Sequence, residues 1–112
     1  MQKRCEMKVL MTRELYELYT EGKSREYKDV AMNKELYAGF VRAVRSMEFA
    51  ENVAALRQLS YLHYEKLRYQ LSELSSVRLS NRFVYRLIFR ELEDGIQVDL
   101  IEIDNTHYGN KK

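Results

Sequence analysis

Proline is absent from the sequence, cysteine occurs once, and glycine occurs only four times. The chain also lacks internal repeats, low-complexity tracts and any segment with the composition of a linker. Cys5 stands alone, which excludes an intramolecular disulfide and a cysteine-rich metal site, and fits a reducing cytoplasm. With 112 residues, we expect one domain over residues 1–112, with residues 1–7 disordered at its start.

Long apolar runs are missing as well, since none approaches the roughly 20 residues that span a bilayer. No signal-peptide core follows Met1. We therefore expect no membrane contact and a cytoplasmic location. Gly-rich phosphate loops and the HExxH and GxSxG motifs are also absent, so nucleotide hydrolysis, zinc proteolysis and serine hydrolysis lack support. No metal-ligand partners accompany His63, which we interpret as structural or incidental, and we expect neither metal nor cofactor.

The first half of the chain has helical periodicity. Thr12 and Gly22 have the positions of an N-cap and a C′ residue, which predicts a helix over 13–21. Asn33 caps a second helix over 34–47, and Gly39 inside it predicts close packing against a neighbour. A third helix begins after Asn52 and ends near residue 59. The last two helices form a hairpin that buries its apolar stripe on another layer.

In the second half the period changes to the alternation typical of strands, over 74–79, 83–90 and 96–104. Asp94-Gly95 is a strong hairpin signal between the last two strands. A shift of phase near Leu100–Ile101 predicts a β-bulge. A short strand over 8–11 is expected to join at an edge. The predicted class is α+β, an N-terminal helical hairpin packed on a small antiparallel sheet.

Basic residues are concentrated in the strand-rich half, although the net charge is only +2. Such a face would attract the phosphates of a nucleic acid. Alone, a run of this kind is more often a solvated surface. Between positions 66 and 90 one acidic residue, Glu73, stands among these basic residues: Lys66, Arg68, Arg78, Arg82, Arg86 and Arg90.

A set of polar residues in the same region suits phosphoryl chemistry. Arg78 and Arg86 lie within apolar strands, and a planar guanidinium can bind phosphate in a bidentate manner, although each could instead pair with a sheet carboxylate. Glu65 is the candidate general base for a ribose 2′-hydroxyl, and His107 the candidate acid for the leaving 5′-oxygen. A surface carboxylate and a bystander histidine are the alternative interpretations. The tyrosines with faces for stacking of bases are Tyr64, Tyr69 and Tyr108.

Taken together, these segments resemble the RelE/ParE superfamily of bacterial toxins, and within it the HigB and YoeB type. The resemblance covers about residues 53–108, and the helical half matches only in layout. Between Arg78 and Arg86 the chain is longer than in many members, which predicts that the turn over 80–82 displaces Arg86. The matching residues are Glu65, Leu67 and Arg68, then Ser76-Val77-Arg78, then the strand from Tyr85 to Phe89, then His107-Tyr108.

The resemblance implies a RelE-like fold and the toxin of a type II toxin–antitoxin pair, acting as a metal-independent, ribosome-dependent mRNA endonuclease. It implies that Glu65 is the general base, Arg86 the phosphate-stabilising residue, and His107 and Tyr108 the C-terminal catalytic residues, with Arg78 a further basic residue of the site. It also implies a cognate antitoxin as partner and mRNA on the bacterial ribosome as substrate. A ParE-like gyrase inhibitor and a noncatalytic RNA- or protein-binding module remain as alternatives.

Overall fold

The helices of the first half begin at the capping residues that the sequence predicts. In the computed structural model, which describes residues 7–67 and 74–105, strand β1 (Lys8–Met11) precedes helix α1 (Arg13–Glu21). Thr12 accepts a hydrogen bond from the Leu15 amide, and Gly22 ends α1 with a φ of 71°. A side-chain oxygen at the cap satisfies one of the amide groups that a helix start leaves without a partner.

A short helix, α2 (Lys28–Ala31), is present that the sequence analysis does not predict. Asn33 caps helix α3 (Lys34–Phe49), which continues two residues beyond the predicted end. Asn52 caps α4 (Val53–Arg57), shorter than predicted. No helix in the described ranges is both long enough and apolar enough to cross a membrane.

Five strands form one sheet in the order β1-β5-β4-β3-β2. They are β1 and then β2 (Glu65–Lys66), β3 (Leu74–Arg78), β4 (Arg86–Leu92) and β5 (Gln97–Asp104). Strands β2 to β5 pair antiparallel, and β1 pairs parallel with β5 at the edge. The predicted meander and edge strand are therefore present, and β2 is an addition.

Both predicted irregularities of the β4–β5 hairpin are present. Glu93, Asp94 and Gly95 form its turn with φ values of 50°, 56° and 87°. The register of β4 with β5 shifts between Ile88 and Phe89, because Ile88 pairs with Glu102 whereas Phe89 pairs with Leu100. Ile101 is the extra residue of this bulge.

The core lies between the helices and one face of the sheet, which we call the helix face. The helices contribute fully buried residues such as Phe40 and Leu18, and the sheet contributes Val77, Leu87 and Phe89. At Gly39 the backbone of α3 comes so close to the chain after β3 that a Cβ there would lie 1.8 Å from the Leu79 carbonyl oxygen. The close approach predicted at this glycine is confirmed.

The start of the chain departs from the expectation in one respect. Met7, included in the segment expected to be disordered, is a buried core residue, and its amide donates to the Ala50 carbonyl oxygen at 3.0 Å. This anchor brings β1 to the C-terminal end of α3. The expectation of disorder is wrong for residue 7, and residues 1–6 lie outside the described part.

Candidate functional site

The polar candidates of the sheet gather on the surface turned away from the helices, which we call the far face. Side chains alternate across a strand, and paired residues on neighbouring strands point to the same side. Arg78 pairs with Arg86, and Arg86 pairs with Asp104, so these three form one row across β3, β4 and β5. Glu65 pairs with Ser76 in the next row.

A cleft of about 550 Å³ lies over this part of the far face. The connection from β3 to β4 closes one side of it, and the residues before β2 close another. The cleft brings together residues that are far apart in the sequence, since His63 and Arg86 are separated by 23 positions. The lining residues are His63, Tyr64, Glu65, Arg78, Asn81 and Arg86.

Arg86 is a largely enclosed cation of this cleft, with only 12% of its side chain exposed. Its Nη1 atom lies 3.7 Å from Oε1 of Glu65, an ion pair too long to be a hydrogen bond. That Nη1 atom is buried and makes no hydrogen bond within the described ranges. A buried donor without an acceptor costs roughly 1–3 kcal/mol. An incoming phosphate oxygen is the kind of acceptor that would remove this cost.

The register places a second guanidinium directly opposite the first. Arg78 and Arg86 are Cα partners on adjacent antiparallel strands. Like charges at directly opposite positions destabilise a sheet, so the pair is unfavourable unless anionic groups lie nearby. The connecting segment after β3 leaves Arg86 paired with Arg78 at the strand ends. The amide of Leu79 donates to the Tyr85 carbonyl oxygen at 3.2 Å, which keeps the two strand ends together. Strand β4 itself begins at Arg86, three residues later than predicted.

His63, which the sequence analysis interprets as structural or incidental, is one of the residues that line the cleft. It has a left-handed backbone with a φ of 48°, at the end of a 3-10 turn over Ser60–Leu62. Its Nε2 atom lies 2.9 Å from Oδ1 of Asn81, so an amide orients the ring. The one feature of the sequence that could have indicated a place for His63 in the cleft was its position two residues before Glu65. Asn81 belongs to a turn, and nothing local in the sequence indicated that it would meet His63.

Tyr64 and Lys66 flank Glu65 and point to the helix face instead. The Tyr64 hydroxyl donates to Oε2 of Glu91, and Ser75 Oγ donates to the same oxygen at 2.7 Å. Lys66 Nζ lies 3.8 Å from that oxygen. Burial opposes ionisation of Glu91, but these hydrogen bonds and the charges of Lys66 and Arg57 outweigh it, so the pKa of Glu91 is lowered.

The remaining candidates lie elsewhere. Arg82 is exposed and pairs with Glu35 of α3, with Nη1 3.2 Å from Oε1. Arg90 is opposite Leu74 and Asp99 and lines a separate cavity of about 690 Å³ together with Arg57 and Lys66. Arg68, Tyr69, His107 and Tyr108 lie outside the described residues.

Within the described ranges no three side chains of histidine, cysteine, aspartate or glutamate converge as a metal site would require. Apart from Tyr64, whose hydroxyl is bound to Glu91 on the helix face, the ionisable residues that line the cleft are one carboxylate, one imidazole and two guanidiniums. Such a set can move protons and neutralise the charge of a phosphate.

One solved structure with a similar fold is a bacterial toxin. A YoeB/ParE toxin from Agrobacterium tumefaciens superposes with a TM-score of 0.51 at 13% identity, covering 90% of this chain and 100% of that chain. Two weaker likenesses have TM-scores too low to support a conclusion. They are the RelBE2 toxin–antitoxin complex of Mycobacterium tuberculosis (TM-score 0.46, 19% identity, 90% and 99% covered) and the YoeB dimer of Staphylococcus aureus (0.48, 16%, 91% and 98%).

No protein-family model matches the chain, and no curated protein sequence matches it significantly. The fold is nevertheless similar to that of the YoeB/ParE toxin, α+β with helices on one face of a five-stranded sheet.

Proposed function

We propose that the protein is the toxin of a bacterial type II toxin–antitoxin pair and cuts messenger RNA on the ribosome, in the cytoplasm. One observation carries this proposal. Glu65, Arg78 and Arg86 line one cleft, and the buried Nη1 of Arg86 makes no hydrogen bond within the described ranges. The fold supports the same conclusion, because the YoeB/ParE protein that it resembles is a toxin.

In the proposed reaction the nucleophile is a ribose 2′-hydroxyl of the messenger RNA. The Glu65 carboxylate takes its proton, and the 2′-oxygen attacks the adjacent phosphorus. The bond from phosphorus to the 5′-oxygen breaks, leaving a 2′,3′-cyclic phosphate and a 5′-hydroxyl end. Arg86 and Arg78 neutralise the charge that grows on the phosphate oxygens, a form of stabilisation worth about 10²–10³ in rate per donor. Since the nucleophile belongs to the RNA, this reaction requires no metal or other cofactor.

A second proton must reach the leaving 5′-oxygen, and two imidazoles are candidates for supplying it. The resemblance assigns this step to the C-terminal pair, His107 and Tyr108. His63 is the alternative that the cleft provides, since it lines the same cleft as Glu65 and Asn81 contacts its ring. An imidazole can give up a proton near neutral pH, as the step requires.

The basic residues outside the cleft are proposed to guide the RNA. Lys66 and Arg90 share the neighbouring cavity, and Arg82 projects from the connection after β3 with 75% of its side chain exposed. Arg68 completes this set. Exposed cations of this kind attract phosphates without reading sequence. The cognate antitoxin is proposed to neutralise the toxin by covering this basic side of the molecule.

Induced expression in a bacterium tests the proposal. The wild type is compared with Glu65→Gln, Arg86→Ala and a matched control, Arg13→Ala. Arg13 also forms a 3.7 Å pair with a glutamate, Glu17, but its side chain is 84% exposed on α1. Growth, translation and the 5′ ends of transcripts are measured, and circular dichroism checks that each purified variant is folded.

The wild type and Arg13→Ala are expected to stop growth and produce cuts in phase with codons, whereas Arg86→Ala and Glu65→Gln are not. DNA damage with intact messenger RNA would instead identify a gyrase inhibitor. Normal growth with all variants, including the wild type, would identify a noncatalytic binding module.

A further inference from the structure

Glu65 lies on the shortest strand of the sheet. Among the residues that the structure describes, β2 has two residues, pairs with Ser75 and Ser76 of β3, and is the last strand on its side of the sheet. Beyond the pairing, the amide of Leu67 donates to the Leu74 carbonyl oxygen at 3.0 Å. Two-residue edge strands have few ladder bonds, so contacts of the side chains must contribute to holding the backbone of Glu65 in place.

Those contacts converge on one carboxylate on the other side of the sheet. Tyr64 and Lys66, the two neighbours of Glu65, both reach Oε2 of Glu91 on β4, and Ser75 of the intervening strand donates to the same oxygen. The Tyr64 ring is also held, because the Arg57 guanidinium lies 4.9 Å from its centroid and Phe89 lies at 6.2 Å. Glu91 therefore links β2, β3 and β4 through one oxygen atom.

We infer that Glu91 is a positioning residue, which directs the Glu65 carboxylate toward Arg86 by fixing Tyr64 and Lys66. The physical reason is the alternation of side chains in a strand. If residues 64 and 66 are both fixed to the helix face, the Cα–Cβ bond of residue 65 must point to the far face. The inference rests on the proposed function, in which Glu65 is the general base.

Purified variants cutting ribosome-bound messenger RNA provide the test. Tyr64→Phe removes the hydroxyl, and Glu91→Gln keeps an acceptor oxygen but removes the charge that attracts Lys66. The matched controls are Tyr19→Phe and Glu48→Gln. They alter a second tyrosine–glutamate hydrogen bond, 3.1 Å long, between α1 and α3. Each variant is also made in a Glu65→Ala background, and kcat and KM are measured separately.

A displacement of a reacting group by about 1 Å can cost on the order of 10²-fold in rate. We expect Tyr64→Phe and Glu91→Gln to lower kcat about 10- to 100-fold with little change in KM. In the Glu65→Ala background they are expected to have no further effect, since there is no carboxylate left to direct. The controls should leave kcat unchanged. Equal losses in both backgrounds, or equal losses in the controls, would overturn the inference.

Amide hydrogen exchange gives a readout that does not depend on cleavage. If Glu91 holds β2 in place, Glu91→Gln accelerates exchange of the Leu67 amide, whereas Glu48→Gln does not. Unchanged exchange at Leu67 would overturn the positioning role even if the protein cuts RNA. Accelerated exchange in a protein that cuts no RNA would instead contradict the proposed function and leave the contact between Glu91 and β2 supported.

Discussion

Arg78 and Arg86 are direct partners across two antiparallel strands, so their side chains are neighbours on the far face. A sheet that evolved for stability alone would avoid this pairing, because like charges at opposite positions repel. Glu65 offsets part of the repulsion, with one carboxylate oxygen 3.7 Å from Arg86. We propose that this pair of guanidiniums binds a phosphate group, as the proposed function requires.

Inorganic phosphate is therefore expected to stabilise the wild type. An anion that binds only the folded state raises the melting temperature with its concentration, and about 1 kcal/mol corresponds to roughly 4 °C in a domain of this size. Arg78→Ala should reduce the shift, and in the absence of phosphate it should leave the melting temperature equal or slightly higher. Arg13→Ala is the control for general salt effects. Identical phosphate shifts in all three proteins would show that the arginine pair binds no anion.

Replacement of Gly39 by alanine is expected to destabilise the fold, although the same change in an exposed helix stabilises it by about 1 kcal/mol. The new Cβ would lie 1.8 Å from a backbone oxygen, Leu79 O, which cannot rotate away. Separating α3 from that segment should cost about 1–3 kcal/mol or more. Urea denaturation measures the effect, with Ala38→Gly on the exposed side of α3 as control. A gain in stability for Gly39→Ala would contradict the close packing.

Tyr27 makes folding sensitive to alkaline pH. Burial, followed by the charge of Glu26, raises the pKa of Tyr27 to about 12 from 10.0. A raised pKa means that the neutral phenol is favoured in the folded state. The stability linked to it is complete below pH 10 and is lost as pH rises toward 12.

Between pH 8 and pH 11 this loss should amount to about 1 kcal/mol for Tyr27 alone. Tyr27→Phe should lose correspondingly less stability over that interval than the wild type. Tyr16→Phe, altered at a tyrosine that is 57% exposed, is the control. The free energy of unfolding from urea titrations at both pH values measures the difference, and parallel losses in wild type and Tyr27→Phe would refute the linkage.

The identity of the proton donor can be decided with a modified substrate. If His63 protonates the leaving 5′-oxygen, His63→Ala should slow cleavage by about 10²–10⁴. An RNA with sulfur in place of that oxygen needs no protonation, so His63→Ala should cut it nearly as fast as the wild type. Glu65→Ala should stay slow on both substrates, because its proposed role is in the other proton transfer. Rescue of His107→Ala instead of His63→Ala would assign the step to the C-terminal residue.

Local chemistry explains which elements were predictable. The helix caps at Thr12, Asn33 and Asn52 and the Asp94-Gly95 turn depend on side chains within a few residues of the backbone groups that they satisfy. The β-bulge was predictable because the alternation of apolar and polar residues changes phase within β5. The placement of Arg86 opposite the helices likewise followed from alternation with Leu87 and Phe89.

Strand β2 was not predictable in the same way, because two residues are too few to show a period. Its place depends on partners distant in the chain, Ser75 and Glu91. The contact of His63 with Asn81 has the same origin, since it requires the turn after β3 to fold back over the end of the 3-10 turn. Arg82 was a candidate because of its charge alone. The sequence did not indicate its ion pair with Glu35, which is distant in the chain.

The amino-acid sequence by itself determined helices α1, α3 and α4, the turn of the β4–β5 hairpin and the faces of β3, β4 and β5, because those depend on neighbours along the chain. Only the tertiary structure decided that Arg78 faces Arg86 directly, that His63 belongs to the cleft, and that one oxygen of Glu91 holds both neighbours of Glu65. Those relationships depend on strand register and loop closure. Both are set by the packing of the whole domain rather than by any short segment.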